Sequence, residues 1–113
     1  MRVFNQTKNL VVSDQAVMAD SLFARMKGLL GRRSLPQGAA LILKPCNSVH
    51  TLFMRFTIDV VFLTSSGKVV GIVPCLQPWR FSKIFISANF AVEFPAGTVQ
   101  SANLSKGDIL QIQ

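Results

Sequence analysis

The chain has 113 residues, of which half are hydrophobic and 15% are charged, a size and composition typical of one globular domain. Twelve lysines and arginines against five acidic residues give a net charge of +7, which favours an anionic partner over a cationic one. No apolar run approaches the roughly 20 residues that span a bilayer, and the N-terminus lacks the apolar core of a signal peptide, so we expect a cytoplasmic protein without a transmembrane segment.

Hydrophobic runs bounded by turn residues predict a series of short strands. The predicted strands are residues 3–12, 15–19, 39–43, 47–54, 58–64, 68–73, 84–87, 90–94 and 109–112. One helix is predicted from Asp20 or Ser21 to Gly31, because apolar residues recur there at helical spacing, and residues 74–82 are predicted to be an ordered loop. Without alternation of strands and helices, the pattern predicts a single mainly β domain over residues 1–113, an antiparallel β-sandwich or barrel with one short α-helix near the N-terminus.

Cysteine and histidine are too few to predict a metal centre. The chain has two cysteines, Cys46 and Cys75, and one histidine, whereas a structural zinc site needs about four such ligands at short spacings. We expect two reduced thiols, because structural disulfides are rare in the cytoplasm. No glycine-rich phosphate-binding motif is present either, so no cofactor is predicted.

The central run, residues 46–63, places a cysteine, the only histidine, an arginine and an aspartate in apolar sequence. One hypothesis is a hydrolase in which His50 is the general base, Asp59 orients it and Cys46 is either the nucleophile or a bystander. Because Cys46 and His50 would lie about 13 Å apart along a continuous strand, this dyad requires a turn between them. The alternative is structural, with an inert thiol and an Asp59 carboxylate that accepts backbone N–H groups or pairs with Arg55.

Trp79 and Arg80 form the main binding feature in the predicted loop. A tryptophan there can stack on a flat ligand while the guanidinium takes a phosphate or carboxylate, or it can cap one end of a β-barrel core. Glu93 lies on a predicted strand, where it either meets Asp59 as an acid and base pair or lies at the rim beside a cation. The ligand-binding candidates are His50, Arg55, Asp59, Trp79, Arg80 and Glu93.

Four cations lie close together at the end of the predicted helix. They are Arg25, Lys27, Arg32 and Arg33. They form either an anion-binding site or a solvated helix face whose charge matches the helix dipole. Nucleic acid is not the expected partner, because the nine phenylalanines lie mostly in strand-like runs and indicate core positions instead of an exposed stacking surface.

Five short motifs occur in an order that resembles one known family. They are ARMKGLLGR (residues 24–32), HTLFMRFTIDVVFL (50–63), GKVV (67–70), EFPAG (93–97) and KGDIL (106–110). Together they resemble the domain-of-unknown-function family 192, a group of small, mainly β prokaryotic domains. Two departures, Thr57 in place of proline and Leu30 in place of methionine, are tolerable at a bend and in a core. The resemblance implies a mainly β fold over residues 17–110 and assigns no activity.

These observations favour a binding module over an enzyme. We expect a shallow polar pocket that recognises an anionic small molecule or a protein segment. It lies near His50, Arg55 and Asp59, with Trp79 and Arg80 as further members. The competing hypotheses are the hydrolase described above and a purely structural or assembly module, which would expose an apolar patch.

Overall fold

The computed structural model of the chain describes residues 1–19 and 34–113. The elements in these residues are β1 (Val3–Asn5), β2 (Leu10–Ser13), β3 (Gln15–Ala19), β4 (Ala39–Leu43), β5 (Ile58–Leu63), β6 (Val69–Leu76), β7 (Phe90–Pro95), α1 (Thr98–Ser101) and β8 (Leu110–Ile112). Two predictions lie outside the described residues. They are the helix that begins at Asp20 or Ser21 and the cation cluster of Arg25, Lys27, Arg32 and Arg33.

The strands form two sheets, so the fold is mainly β, as predicted. One sheet has three antiparallel strands in the order β2-β1-β8, and the other has five strands in the order β3-β4-β7-β5-β6. Strands β5 and β7, in the middle of the larger sheet, are apolar except for one carboxylate each, and all their residues are buried. Such near-continuous apolar runs are typical of strands covered on both faces.

Side chains alternate between the two faces of the five-stranded sheet, so they fill one core on each face. The first core combines Val3 of the smaller sheet with Phe94 of the larger one. The second core lies on the other face, where Phe62 packs with Val49 and Phe85 from two long loops. The two cores therefore draw on different parts of the chain, the first on the smaller sheet and the second on the loops.

One strand pair departs from the predicted antiparallel pattern. Strands β3 and β4 run parallel, in register from Gln15 opposite Ala39 to Ala19 opposite Leu43. Parallel neighbours need a connection of a dozen or more residues, and residues 20–38 separate β3 from β4 in the sequence. The sequence pattern missed this pair, because the direction of pairing depends on the path of the connection and not on the strand residues themselves.

The predicted strand positions were partly right. Predicted strands 15–19 and 39–43 match β3 and β4 residue for residue. The predicted strand 3–12 is instead two short strands, β1 and β2, that pair as a hairpin. The first residues of the predicted loop 74–82 belong to β6.

Residues 46–57 and 77–89, which we call the loop layer, contain the two predicted strands that were wrong. Residues 47–54 and 84–87 are irregular, and the two loops share one isolated bridge, between His50 and Phe81. The apolar alternation that predicted strands has another cause. Inward residues such as Val49 and Met54 cover the second core, while their neighbours point outward.

Gly71 in β6 makes room for the loop layer. A Cβ at this position would lie 2.2 Å from the Phe85 ring, which itself stacks on Phe62 with the ring centroids 4.3 Å apart. We therefore expect Gly71→Ala to lower the free energy of unfolding by about 2 kcal/mol through overpacking, measured by urea denaturation. The Gly71→Ala cost should shrink in a Phe85→Ala background, where the clashing ring is absent. An equal cost in both backgrounds would show that Phe85 is not the cause.

Candidate functional site

Thr51 holds the loop layer together, and its side chain is fully buried. Its N–H donates to the Arg80 carbonyl at 2.8 Å, and its own carbonyl accepts the Trp79 N–H at 2.9 Å. The Thr51 hydroxyl donates to the Gln77 carbonyl and accepts the Arg80 N–H at 2.9 Å. Because these hydrogen bonds converge on one buried residue, they fix the turn that carries Trp79 and Arg80.

Phe53 and Trp79 are exposed residues with unusual backbone conformations. Their φ angles are 66° and 64°, in the left-handed region. Bulky residues rarely adopt this conformation, which costs on the order of 1–3 kcal/mol per residue. The exposed fraction is 67% for Phe53 and 54% for Trp79. The two rings contact each other, with centroids 4.6 Å apart. Backbone strain of this kind concentrates at functional sites.

His50 and Phe81 extend this aromatic surface. The two rings lie with centroids 6.1 Å apart, and Phe81 is mostly exposed. The Nδ1 atom of His50 accepts the Leu52 N–H at 3.2 Å. In the neutral imidazole the proton therefore resides on Nε2, which can donate to a ligand.

The charge of the loop layer is positive. Arg55, Arg80 and Lys83 are exposed, and no aspartate or glutamate occurs in residues 46–57 or 77–89. The carboxylates of Asp59 and Glu93, in the neighbouring strands, are buried. An anion that approaches this surface meets cations without competing acidic side chains.

Ile84 and Ile86 add exposed aliphatic side chains to the same loop that carries Trp79 and Phe81. They flank Phe85, whose ring is turned toward Phe62, and they are 65% and 91% exposed. Of the eight large hydrophobic residues exposed in residues 1–19 and 34–113, five belong to the loop layer. We refer to the following exposed side chains as the outer surface: His50, Phe53, Arg55, Trp79, Arg80, Phe81, Lys83, Ile84 and Ile86.

Asp59 is engaged in the framework of the fold. One carboxylate oxygen accepts the Cys75 N–H at 2.8 Å, and the other accepts the N–H groups of Gly97 and Val99 at 3.0 and 2.9 Å. Cys75 lies at a register shift between β5 and β6 and has a φ of 52°, so its N–H is not paired along the ladder. Asp59 thus joins β5 to this bulge and to the first turn of α1.

Glu93 lies on the opposite face of the sheet from Asp59. In the register of β5 and β7, Asp59 is opposite Phe94, whereas Glu93 is opposite Val60. Phe94 belongs to the first core and Val60 to the second, so the two carboxylates do not meet in one pocket. Glu93 is 4% exposed, its carboxyl group has no hydrogen bond to the described residues, and burial raises the pKa of this carboxyl from 4.5 to about 7.

The residues of the hydrolase hypothesis are not joined to one another where the structure describes them. No hydrogen bond or ion pair links His50 with Asp59 or Cys46 among residues 34–113. The Cys46 thiol donates to the Ser48 carbonyl at 3.0 Å. Within the same described residues and residues 1–19, no group of three metal-ligating side chains occurs.

The helices among residues 1–19 and 34–113 include none with the length and apolar character needed to cross a membrane.

The structure thus divides the predicted ligand-binding residues into two sets. His50, Trp79 and Arg80 come together in the loop layer, with Arg55 exposed on the same loop as His50, whereas Asp59 and Glu93 lie inside the sheet. Four apolar members of the outer surface were missed. Phe53, Ile84 and Ile86 lie in segments whose apolar character predicted core strands, and Phe81, in the predicted loop, was missed because the phenylalanines were interpreted as core residues. The sequence did contain a sign of their exposure, because arginines and a lysine are interleaved with them in FMR and WRFSK.

Comparison with known proteins identifies the family. The model of DUF192, described as "Uncharacterized ACR", matches residues 3–112. A UPF0127 protein of Pyrococcus furiosus is 34% identical over 96% of each chain. A UPF0127 protein of Pyrococcus horikoshii is 33% identical over 94% of each chain.

Two solved structures share the fold. A protein of unknown function from Novosphingobium aromaticivorans superposes with a TM-score of 0.84, at 16% identity, over 98% of this chain and 82% of its own. A protein described as a candidate transcription regulator from Sinorhizobium meliloti superposes with a TM-score of 0.81, at 20% identity, over 97% of this chain and 89% of its own. At these identities the likeness establishes the fold alone.

Proposed function

The chain belongs to the domain-of-unknown-function family 192, and we propose that it is a binding domain whose outer surface recognises an anionic partner. The observation that carries this proposal is the pairing of exposed aromatic rings with exposed cations on loops that contain no acidic residue. Rings offer stacking or apolar contact, and guanidinium groups bind phosphate or carboxylate oxygens. The buried hydrogen bonds of Thr51 preorganise the turn that presents them, which lowers the entropy lost on binding.

We also infer that the described sheets pack face to face as a β-sandwich within one domain. The first core supports this arrangement, because it draws side chains from both sheets and excludes the loop layer. Sheets that face each other in sandwiches share a core about 10 Å thick in the same way. In this arrangement the outer surface lies on the side of the larger sheet remote from the smaller one.

Amide chemical-shift mapping of the labelled protein tests the proposed function. We would titrate tripolyphosphate at low salt, where charge interactions are least screened. Shifts gathered in residues 50–55 and 79–83 are the expected result. Shifts confined to residues 25–33, or to surfaces outside the loop layer, would contradict the proposal.

Arg80→Ala should weaken tripolyphosphate binding about fivefold, since one exposed charge contact is worth about 1 kcal/mol. Among the described residues, the Arg80 side chain has a single hydrogen bond, to the Trp79 carbonyl, so stability should hardly change. Lys106→Ala, which removes an exposed cation in the turn before β8, is the matched control and should bind as the unmodified chain does. Equal losses in the two variants would indicate attraction by net charge instead of recognition at the outer surface.

A further inference from the structure

We propose that the anionic partner is a lipid surface: the outer surface docks onto the headgroup layer of a bilayer rich in anionic phospholipid. This inference rests on the proposed function and names the class of its partner. In this arrangement the apolar side chains of the outer surface would lie at the boundary of the acyl chains, and its cations would lie among the lipid phosphates.

The apolar part of the outer surface fits the bilayer interface. Phe81, Ile84 and Ile86 are 71%, 65% and 91% exposed, and their side chains have no hydrogen-bonding groups to direct toward a polar ligand. Trp79 adds an amphipathic ring of the kind that is enriched where headgroups meet acyl chains. Burying these side chains at the interface would remove apolar area from water, which is the main driving force for peripheral docking.

The charges of the outer surface match anionic headgroups. Arg80 and Lys83 alternate along the chain with Trp79, Phe81 and Ile84, so cations and apolar side chains occur on the same segment. No acidic residue in the loop layer would repel lipid phosphates, and the whole chain carries a charge of +7. Stable attachment to a membrane surface generally needs two attractive contributions. Apolar side chains provide one, and basic residues beside them provide the electrostatic one.

The two isoleucines favour lipid over single-stranded nucleic acid. Nucleic-acid platforms use aromatic rings, because each base stacks on a ring face. An isoleucine provides no such face, yet Ile86 is the most exposed large hydrophobic residue in the described part of the chain. Insertion into an acyl layer makes use of Phe81, Ile84 and Ile86 together.

Vesicle binding tests the inference, with Trp79 as the built-in reporter because it is the only tryptophan. The full chain is mixed with vesicles of phosphatidylcholine alone or with an equal part of phosphatidylglycerol, and pelleting and tryptophan emission are measured. We expect pelleting with the anionic vesicles only, a shift of Trp79 emission to shorter wavelength, and quenching by bromine-labelled acyl chains. Added salt should weaken the binding.

Ile84→Ser combined with Ile86→Ser should reduce the vesicle partition coefficient roughly tenfold or more, because membrane affinity follows the number of buried methylene groups. Both side chains are exposed, so the double variant should fold normally, which its thermal transition would verify. Val11→Ser on β2, an exposed position outside the loop layer, is the control and should bind as the unmodified chain does. Equal binding by the double variant would overturn the inference.

An oligothymidine strand provides the competing partner. If it quenches Trp79 while anionic vesicles neither pellet the protein nor shift its emission, the lipid inference fails and the proposed function survives with a different partner. If vesicles do not bind and tripolyphosphate gives no shifts in the loop layer, the inference and the proposed function fail together.

Discussion

Asp59→Asn is expected to lower the free energy of unfolding by about 3 kcal/mol. The carboxylate accepts three backbone N–H groups while 1% exposed, and an amide in its place would turn an NH₂ group toward donors. A buried donor left without an acceptor costs about 1–3 kcal/mol, and the charge that strengthens the remaining hydrogen bonds is also lost. Urea denaturation at neutral pH measures the effect.

Asp14→Asn is the matched control for this prediction. Asp14 is exposed between β2 and β3, and its substitution should change the urea midpoint little. Tripolyphosphate binding by folded Asp59→Asn should match that of the unmodified chain, since Asp59 does not reach the outer surface. Unchanged stability together with lost binding would instead place Asp59 in the binding site, as the sequence-based hypothesis proposed.

Glu93 should make the protein less stable as the pH rises from about 5 to about 8. Desolvation raises the pKa of the folded-state carboxyl from 4.5 to about 7, so between these values the native state binds a proton that the unfolded state has released. Stability from this group is greatest at low pH and is lost as the pH rises through about 7, where the buried carboxylate ionises. A shift of this size corresponds to about 3 kcal/mol.

Glu93→Gln isolates this contribution. The neutral variant should lose most of the pH dependence between pH 5 and 8 and should be more stable than the unmodified chain at pH 8, as measured by urea denaturation at both pH values. A parallel pH dependence in the two proteins would show that Glu93 is not its source.

Asp108 does not add to the pH dependence of stability between pH 5 and 8. Its burial opposes ionisation, but hydrogen bonds from Asn5, the Ser105 N–H and Lys8, together with the charge of Lys8, bring its pKa below the ordinary value. The stability that Asp108 contributes is present above its unfolded-state pKa and is lost only as the pH falls through its lower folded-state value. Its effect on stability is therefore constant between pH 5 and 8.

The difference between the loop layer and the strands explains why the candidate site was only partly predictable. Ile58–Leu63 and Phe90–Pro95 are long apolar runs whose strand character follows from local composition. Residues 47–54 and 84–87 have a similar apolar pattern, but their paths are set by hydrogen bonds between distant segments, such as those of Thr51 with residues 77–80. Local periodicity does not report such contacts.

The mainly β fold, the positions of β3 and β4, the family and the positive charge were predicted correctly from the amino-acid sequence, which also singled out His50, Trp79 and Arg80 as binding candidates. Those properties follow from composition and short-range pattern. The tertiary structure alone decided that Asp59 and Glu93 lie on opposite faces, since their relation depends on the register between two strands. It also decided that Phe53, Phe81, Ile84 and Ile86 are exposed, because burial is a property of the surroundings that long-range packing creates and not of the side chain itself.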